Sequence, residues 1–216
     1  TWTGSAWDNG EPNITTDAVV LSGTCNVTSN TSFKTITVQA DAILNVDNAA
    51  TITVQDNIQV LGTGKLILNN NTSLLQNNSS ATNTGNIKYR RNATPMRQYE
   101  FTYWGAPVVG QVLNVFSPLT LADKFYSYNA NVGVNNWVIE NQNNVMMPGK
   151  GYAIRAPQGY TTTPQVFSGE FIGVPNNGNI SANVAGFNSA LLNYNLLTNP
   201  YPSAIDADLF ITNTNN

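Results

Sequence analysis

Ile36-Thr37-Val38, Leu44-Asn45-Val46, Ile52-Thr53-Val54, Ile58-Gln59-Val60, Leu66-Ile67-Leu68 and Leu74-Leu75-Gln76 are short apolar triplets that fill the stretch from residue 36 to residue 76. The first three return after 22 positions, 36 to 58, 44 to 66 and 52 to 74. Within a triplet the outer residues are nearly always apolar, which is the alternation of a strand with one buried face. A fixed period of this size marks a solenoid, in which each repeat buries its apolar face only by stacking on the next. Stacking at 22 sets Ile36 on Ile58, Val38 on Val60, Leu44 on Leu66, Val46 on Leu68 and Ile52 on Leu74. Six apolar triplets also suit an antiparallel meander, but a meander has no reason to keep register at 22. The stretch therefore predicts about two coils of a short right-handed parallel β-solenoid, with Gly62-Thr63-Gly64 as a tight corner.

Working outward, residues 1 to about 35 read as an N-terminal cap, with Trp2 and Trp7 as lid residues and a sugar-stacking role for them as the alternative. Asp17 to Leu21 is the first strand, and Asn86 to Arg91 closes the stack. From Thr94 the repeat is lost, and short strands alternate with turn signals such as Pro148-Gly149 and Asn176-Asn177-Gly178. Strands are expected at 99–104, 124–128, 136–140, 151–155, 165–171, 179–184 and 191–197, and a helix start within 202–210. The fold class is thus all-β, a solenoid over residues 1–93 followed by an antiparallel β-sandwich-like domain over 94–216. A start at Thr1 without Met reads as a mature or trimmed product, and an end at Asn216 just after Phe210-Ile211 as a fragment of a longer polypeptide.

Composition limits the chemistry. Charged residues are 10% of the 216, well under the usual quarter, and Asn, Thr and Ser replace them, which suits a turn-rich β surface. A net charge of −3 supplies no field for a polyanion, which argues against nucleic acid as a main partner. There is no apolar run of membrane-spanning length, which argues against membrane insertion. With no His, neither a Ser-His-Asp system, a His-ligated zinc nor an imidazole base can be built. Cys25 has no partner for an internal disulfide and reads as a small buried hydrophobe.

Tyr103-Trp104-Gly105-Ala106-Pro107-Val108, Met147-Pro148-Gly149-Lys150-Gly151-Tyr152, Ile154-Arg155-Ala156-Pro157 and Asn199-Pro200-Tyr201-Pro202-Ser203-Ala204-Ile205-Asp206 resemble modules of large surface proteins of gliding and marine Bacteroidetes. Thr1-Trp2-Thr3-Gly4 and Ser73-Leu74-Leu75-Gln76 fit the same group, so the likeness covers most of the chain. It implies export by the type IX secretion system, an extracellular or outer-surface location and an adhesin-like role. It carries no catalytic residues, and that group's C-terminal sorting domain has no counterpart here.

The candidate sites follow from residue type. Trp137 and Tyr160 sit by polar turns and are the candidate sugar contacts, while Trp104 reads as core. The alternation of Tyr99, Phe101 and Tyr103 reads as a packed sheet face. Lys88, Arg90, Arg91 and Arg97 read as a salt-bridged seam between solenoid and sandwich; the functional alternative makes Arg90 and Arg91 ligand-binding residues for an anionic glycan. Arg91, on the face of Ile87 and Tyr89, needs a carboxylate or a protein surface. Asp206 and Asp208, two apart, are candidate Ca²⁺ ligands with nearby carbonyls, and helix capping is the competing reading. No other cofactor is expected. The paired carboxylates of a glycosidase, or the stacked acidic positions of a calcium-dependent lyase, do not emerge, because Asp41 falls over Thr63 and Asp47 over Asn69. The expectation is a non-catalytic module with an adhesion or stalk role, its partners an extracellular glycan or surface and other modules of the same polypeptide. The alternative is a carbohydrate-binding accessory module of a polysaccharide-degrading enzyme.

Overall fold

A computed structural model describes residues 1–132, 135–186 and 194–212. Nine strands wind as three coils: β1 (Asp17–Val20), β2 (Thr24–Val27) and β3 (Thr31–Phe33), then β4 (Thr35–Val38), β5 (Ile43–Val46) and β6 (Thr51–Val54), then β7 (Ile58–Val60), β8 (Lys65–Leu68) and β9 (Ser73–Gln76). They stack in three parallel columns, β1-β4-β7, β2-β5-β8 and β3-β6-β9. All five pairs expected from the period of 22 are in register, and all ten side chains are buried. Each such Leu or Ile is worth about 1.5–3 kcal/mol of transfer free energy, so a slipped layer would expose several at once.

The first coil corrects the expected cap. Residues 17–33 are a full turn of the solenoid, paired to the second coil at Asp17↔Thr35, Cys25↔Leu44 and Ser32↔Thr53, offsets of 18, 19 and 21. Its turns are shorter, so its strands align in space without repeating at 22. The cap proper is residues 1–16. Trp2 bridges to Val20 and meets Trp7 edge-on with ring centroids 5.6 Å apart, and both pack on the core as a lid.

Polar side chains hold the layers in step outside. Asn45 Nδ2 donates to Asn26 Oδ1 (3.0 Å) and Asn69 Nδ2 donates to Asn45 Oδ1 (2.9 Å). Thr63 Oγ1 donates to Asp41 Oδ1 (2.5 Å), the pairing expected of those turns. Asp41, Asn48 and Asn71 take the left-handed backbone that Asn and Asp tolerate at corners.

Beyond the coils come β10 (Ile87–Asn92), β11 (Phe101–Trp104), β12 (Val108–Val109), the short α1 (Leu113–Phe116), β13 (Phe125–Tyr128), β14 (Trp137–Ile139), β15 (Tyr152–Arg155), β16 (Ser168–Pro175) and α2 (Ala207–Thr212). β10 pairs parallel to β8 on one side and antiparallel to β16 on the other, so the middle column grows into a six-stranded sheet, β12-β16-β10-β8-β5-β2. A second sheet, β11-β15-β13-β14, is antiparallel throughout. Its inward Trp104 packs on Phe116, Phe167 and Phe171 with centroids 4.9, 5.7 and 6.0 Å apart. One buried cluster therefore runs from Ala18 in the first coil to Phe171.

Residues 179–184 form no strand, and the strand expected at 165–171 lies instead at Ser168–Pro175. Of the strand expected at 191–197, residues 191–193 lie outside the described residues, and Leu197 makes a single bridge to Lys150. The Asn199-Pro200-Tyr201-Pro202 motif covers an open edge: Leu74 N–H donates to Pro202 O (2.8 Å), and Tyr201 Oη donates to Gly178 O (2.6 Å). Among the described residues no helix is long and apolar enough to cross a membrane.

Candidate functional site

Alternation on the second sheet decides the site. Along Phe101-Thr102-Tyr103-Trp104 only Trp104 is buried, so Phe101 and Tyr103 project to the opposite, outer face. Cross-strand register then sets the rows of that face. Tyr103 lies opposite Ala153, Ala153 opposite Tyr126 and Tyr126 opposite Ile139. Trp137 lies one row on, opposite Tyr128. The Ala153 methyl between tall neighbours leaves a trough of about 400 Å³ lined by Phe101, Tyr103, Tyr126, Trp137 and Ala153. Tyr103 and Trp137 stand 5° from parallel with centroids 6.3 Å apart, Trp137 meets Tyr128 edge-on at 5.3 Å, and Phe101 meets Tyr126 at 5.7 Å. These edge contacts fix the rings before any ligand arrives. Phe101 and Trp137 are each 45% exposed and Tyr103 61%.

The row below is charged. Arg155 lies opposite Phe101, two residues from Ala153 on the same face, and its backbone N–H donates to the O of Lys124, just before β13 (3.2 Å). Its guanidinium sits 5.4 Å from the Tyr99 ring centroid. Lys150 and Glu140 do not line the trough: Lys150 Nζ donates to Glu140 Oε1 (2.5 Å) and Asn144 Nδ2 to Glu140 Oε2 (2.8 Å). Partial burial pushes the Glu140 carboxyl up, but these hydrogen bonds outweigh it and hold the group below the usual glutamate range.

The residues expected from sequence divide. Trp137 is a wall of the trough. Tyr160 is not among its lining residues, and its hydroxyl donates to Val166 O (3.0 Å). Phe101 and Tyr103, read as a packed face, are the correction: both faces of that strand carry aromatic rings, and Trp104 claims the core. Arg90 Nε donates to Glu170 Oε2 (2.7 Å) and Nη1 to Asn69 Oδ1 (3.0 Å), while Lys88 Nζ donates to Glu170 Oε1 (2.8 Å), which is the anticipated seam. Arg91 finds a protein surface, donating to the carbonyls of Asn69 (3.2 Å) and Thr72 and to the Tyr89 hydroxyl, with its guanidinium 3.8 Å from the Tyr89 ring centroid. Burial pushes the Tyr89 hydroxyl up to about 12 and works against the Arg91 charge. Asp206 Oδ1 accepts the Leu209 N–H (2.9 Å), so one oxygen of the candidate Ca²⁺ pair serves as a cap, and Asp208 lies in the first turn of α2. Among the described residues no three His, Cys, Asp or Glu side chains gather as metal ligands. Cys25 is buried in β2, and burial pushes its thiol up to about 11.

Tyr126, Ala153 and Arg155 escaped sequence reasoning. The available signal was register: Tyr-Ala-Ile-Arg puts a small residue and a cation on one side of a strand and Tyr152 and Ile154 on the other. A family model described as a domain of unknown function, DUF8693, matches residues 1–216. No curated protein and no solved structure matches the chain.

Proposed function

The chain belongs to the DUF8693 family over its whole length, and we propose that it is a non-catalytic, sugar-binding adhesion module of a secreted or cell-surface protein. The solenoid is a rigid mount and the outer face of the second sheet is the working surface. The observation that carries this reading is the aromatic trough, with Tyr103 and Trp137 nearly parallel and exposed beside Phe101 and Tyr126. Sugar rings present flat patches of C–H groups that stack on aromatic faces, and the tyrosine hydroxyls add polar contacts at the rim. The resemblance of its Tyr103–Val108 and Asn199–Asp206 motifs to Bacteroidetes surface proteins supports a surface location and a place in a larger polypeptide.

Affinity electrophoresis through gels cast with neutral and acidic polysaccharides tests it. The wild-type chain is retarded by at least one of them. Trp137→Ala and Tyr103→Ala each weaken that retention about tenfold, ~1.4 kcal/mol, without altering the circular dichroism spectrum. Silence across the panel overturns the reading. So does a concentration-dependent dimer abolished by Trp137→Ala, because the face would then belong to a second copy.

A further inference from the structure

Arg155 has no ion-pair partner among the described residues, and it lies across the sheet from Phe101, at one end of the apolar trough. It is 9% exposed, and its Nε is buried with no hydrogen-bond acceptor among the described residues. All twelve Asp and Glu residues of the chain lie among the described residues, and none is within ion-pair distance of it. Two carboxylates near it in the fold hold other donors, although the Arg155 charge, after the Lys124 hydrogen bond, still helps hold the Asp123 carboxyl below the usual aspartate range. Asp123 accepts from Lys124 Nζ (2.6 Å), and the Glu100 carboxylate accepts the Arg97 N–H (2.6 Å). What covers the guanidinium is the ring of Tyr99, whose backbone φ of 73° places it in the left-handed region that a bulky residue rarely occupies.

A buried guanidinium keeps its charge, and leaving it without a carboxylate costs several kcal/mol unless something else compensates. The seam shows what this chain does with such groups when they are structural: Arg90 holds Glu170, and Arg91 is saturated by carbonyls. Arg155 has neither solution. Resting on the sugar-binding reading of the trough, we infer that the bound polysaccharide is acidic, and that Arg155 receives its carboxylate or sulfate group beside the Phe101 end. The planar fork of donors fits a two-oxygen anion, and the aromatic surroundings exclude the water that would weaken the pair. Phe101, Tyr103 and Trp137 then hold the uncharged faces of the same sugar chain.

Matched polysaccharides decide the matter: polygalacturonate against its carboxyl-reduced product, and a sulfated galactan against its desulfated product, each measured by titration calorimetry. The wild-type chain binds one acidic member at least tenfold more tightly than its neutral counterpart, and added salt erodes that margin. Loss on carboxyl reduction assigns a uronate, and loss on desulfation assigns a sulfate ester. Arg155→Gln brings the acidic ligand down to the neutral level and leaves the neutral ligand unchanged, while Arg155→Lys keeps part of the margin. Should either variant fail to fold by circular dichroism, the matched ligands on the wild-type chain still decide. Equal affinity for acidic and neutral members overturns the inference and leaves the sugar-binding module standing. Binding to none of the four, nor to any other glycan of the panel, removes both.

Discussion

Tyr99 is where the backbone is held against its own preference. A side chain at φ 73° brings Cβ close to the following carbonyl, at a cost of about 1–2 kcal/mol that glycine escapes. The turn around it is pinned from both sides: Arg97 N–H donates to Glu100 Oε2 (2.6 Å), and Glu100 N–H donates to Arg97 O (3.2 Å). The ring it carries lies over Arg155, so the strained residue and the unpaired cation are one arrangement. Removing the ring alone and removing ring and strain together are separable. Tyr99→Gly is expected to be more stable than Tyr99→Ala by about 1 kcal/mol, read as the difference in urea unfolding free energy. Equal stability of the two variants would mean that the turn relaxes and the backbone is not held.

The coil is the next unit, and its turns matter more than its strands. Gly85 has φ 79°, and a Cβ built there would fall 1.9 Å from the Val60 carbonyl oxygen, beneath the last coil where Thr84 bridges to Gln59. Gly10 has nearly the same φ, 77°, with nothing within 4 Å. The pair separates conformational strain from collision. Gly10→Ala is expected to cost about 1 kcal/mol, and Gly85→Ala clearly more, because the backbone of the third coil must move as well; parallel urea titrations compare them, and similar losses would reject the collision. Turn length also governs what could be read in advance. The second and third coils repeat at 22, so Leu44 and Leu66 announce each other; Cys25 and Leu44 are equally well stacked but 19 apart, and no fixed period reveals them. The trough was half legible. Trp137 stands out directly after the polar turn Asn135-Asn136, whereas Phe101 and Tyr103 alternate with a buried Trp104, and alternation states that a strand has two faces without saying which is wet. Register places Arg155 on the face of Ala153, but its lack of an ion-pair partner depends on the folded surroundings and leaves no mark in the local sequence.

At the scale of the whole molecule, the solenoid and the second sheet are not independent bodies joined by a linker. The buried cluster is continuous, and β10 is at once a rung of the solenoid and the partner of β16. A charged cluster across that junction centres on Glu170, reached from β10 by Lys88 Nζ (2.8 Å) and Arg90 Nε (2.7 Å). Partial burial pushes the Glu170 carboxyl up, but the hydrogen bonds and charges of Lys88 and Arg90 outweigh it, and the group is held below the usual glutamate range. A depressed folded-state value means that the unfolded chain binds this proton more readily than the native one. The junction therefore adds stability above the unfolded-chain value of about 4.3, and loses it as pH falls through the lower native value. The contribution is modest, because Glu170 is 30% exposed and water screens the pair. Wild-type and Glu170→Gln proteins compared by urea unfolding are expected to differ at pH 7, with the wild type more stable, and to converge as the pH is taken below about 4. A gap of the same size at pH 7 and pH 3 would show that glutamine loses something other than charge, and that the junction is held by packing alone.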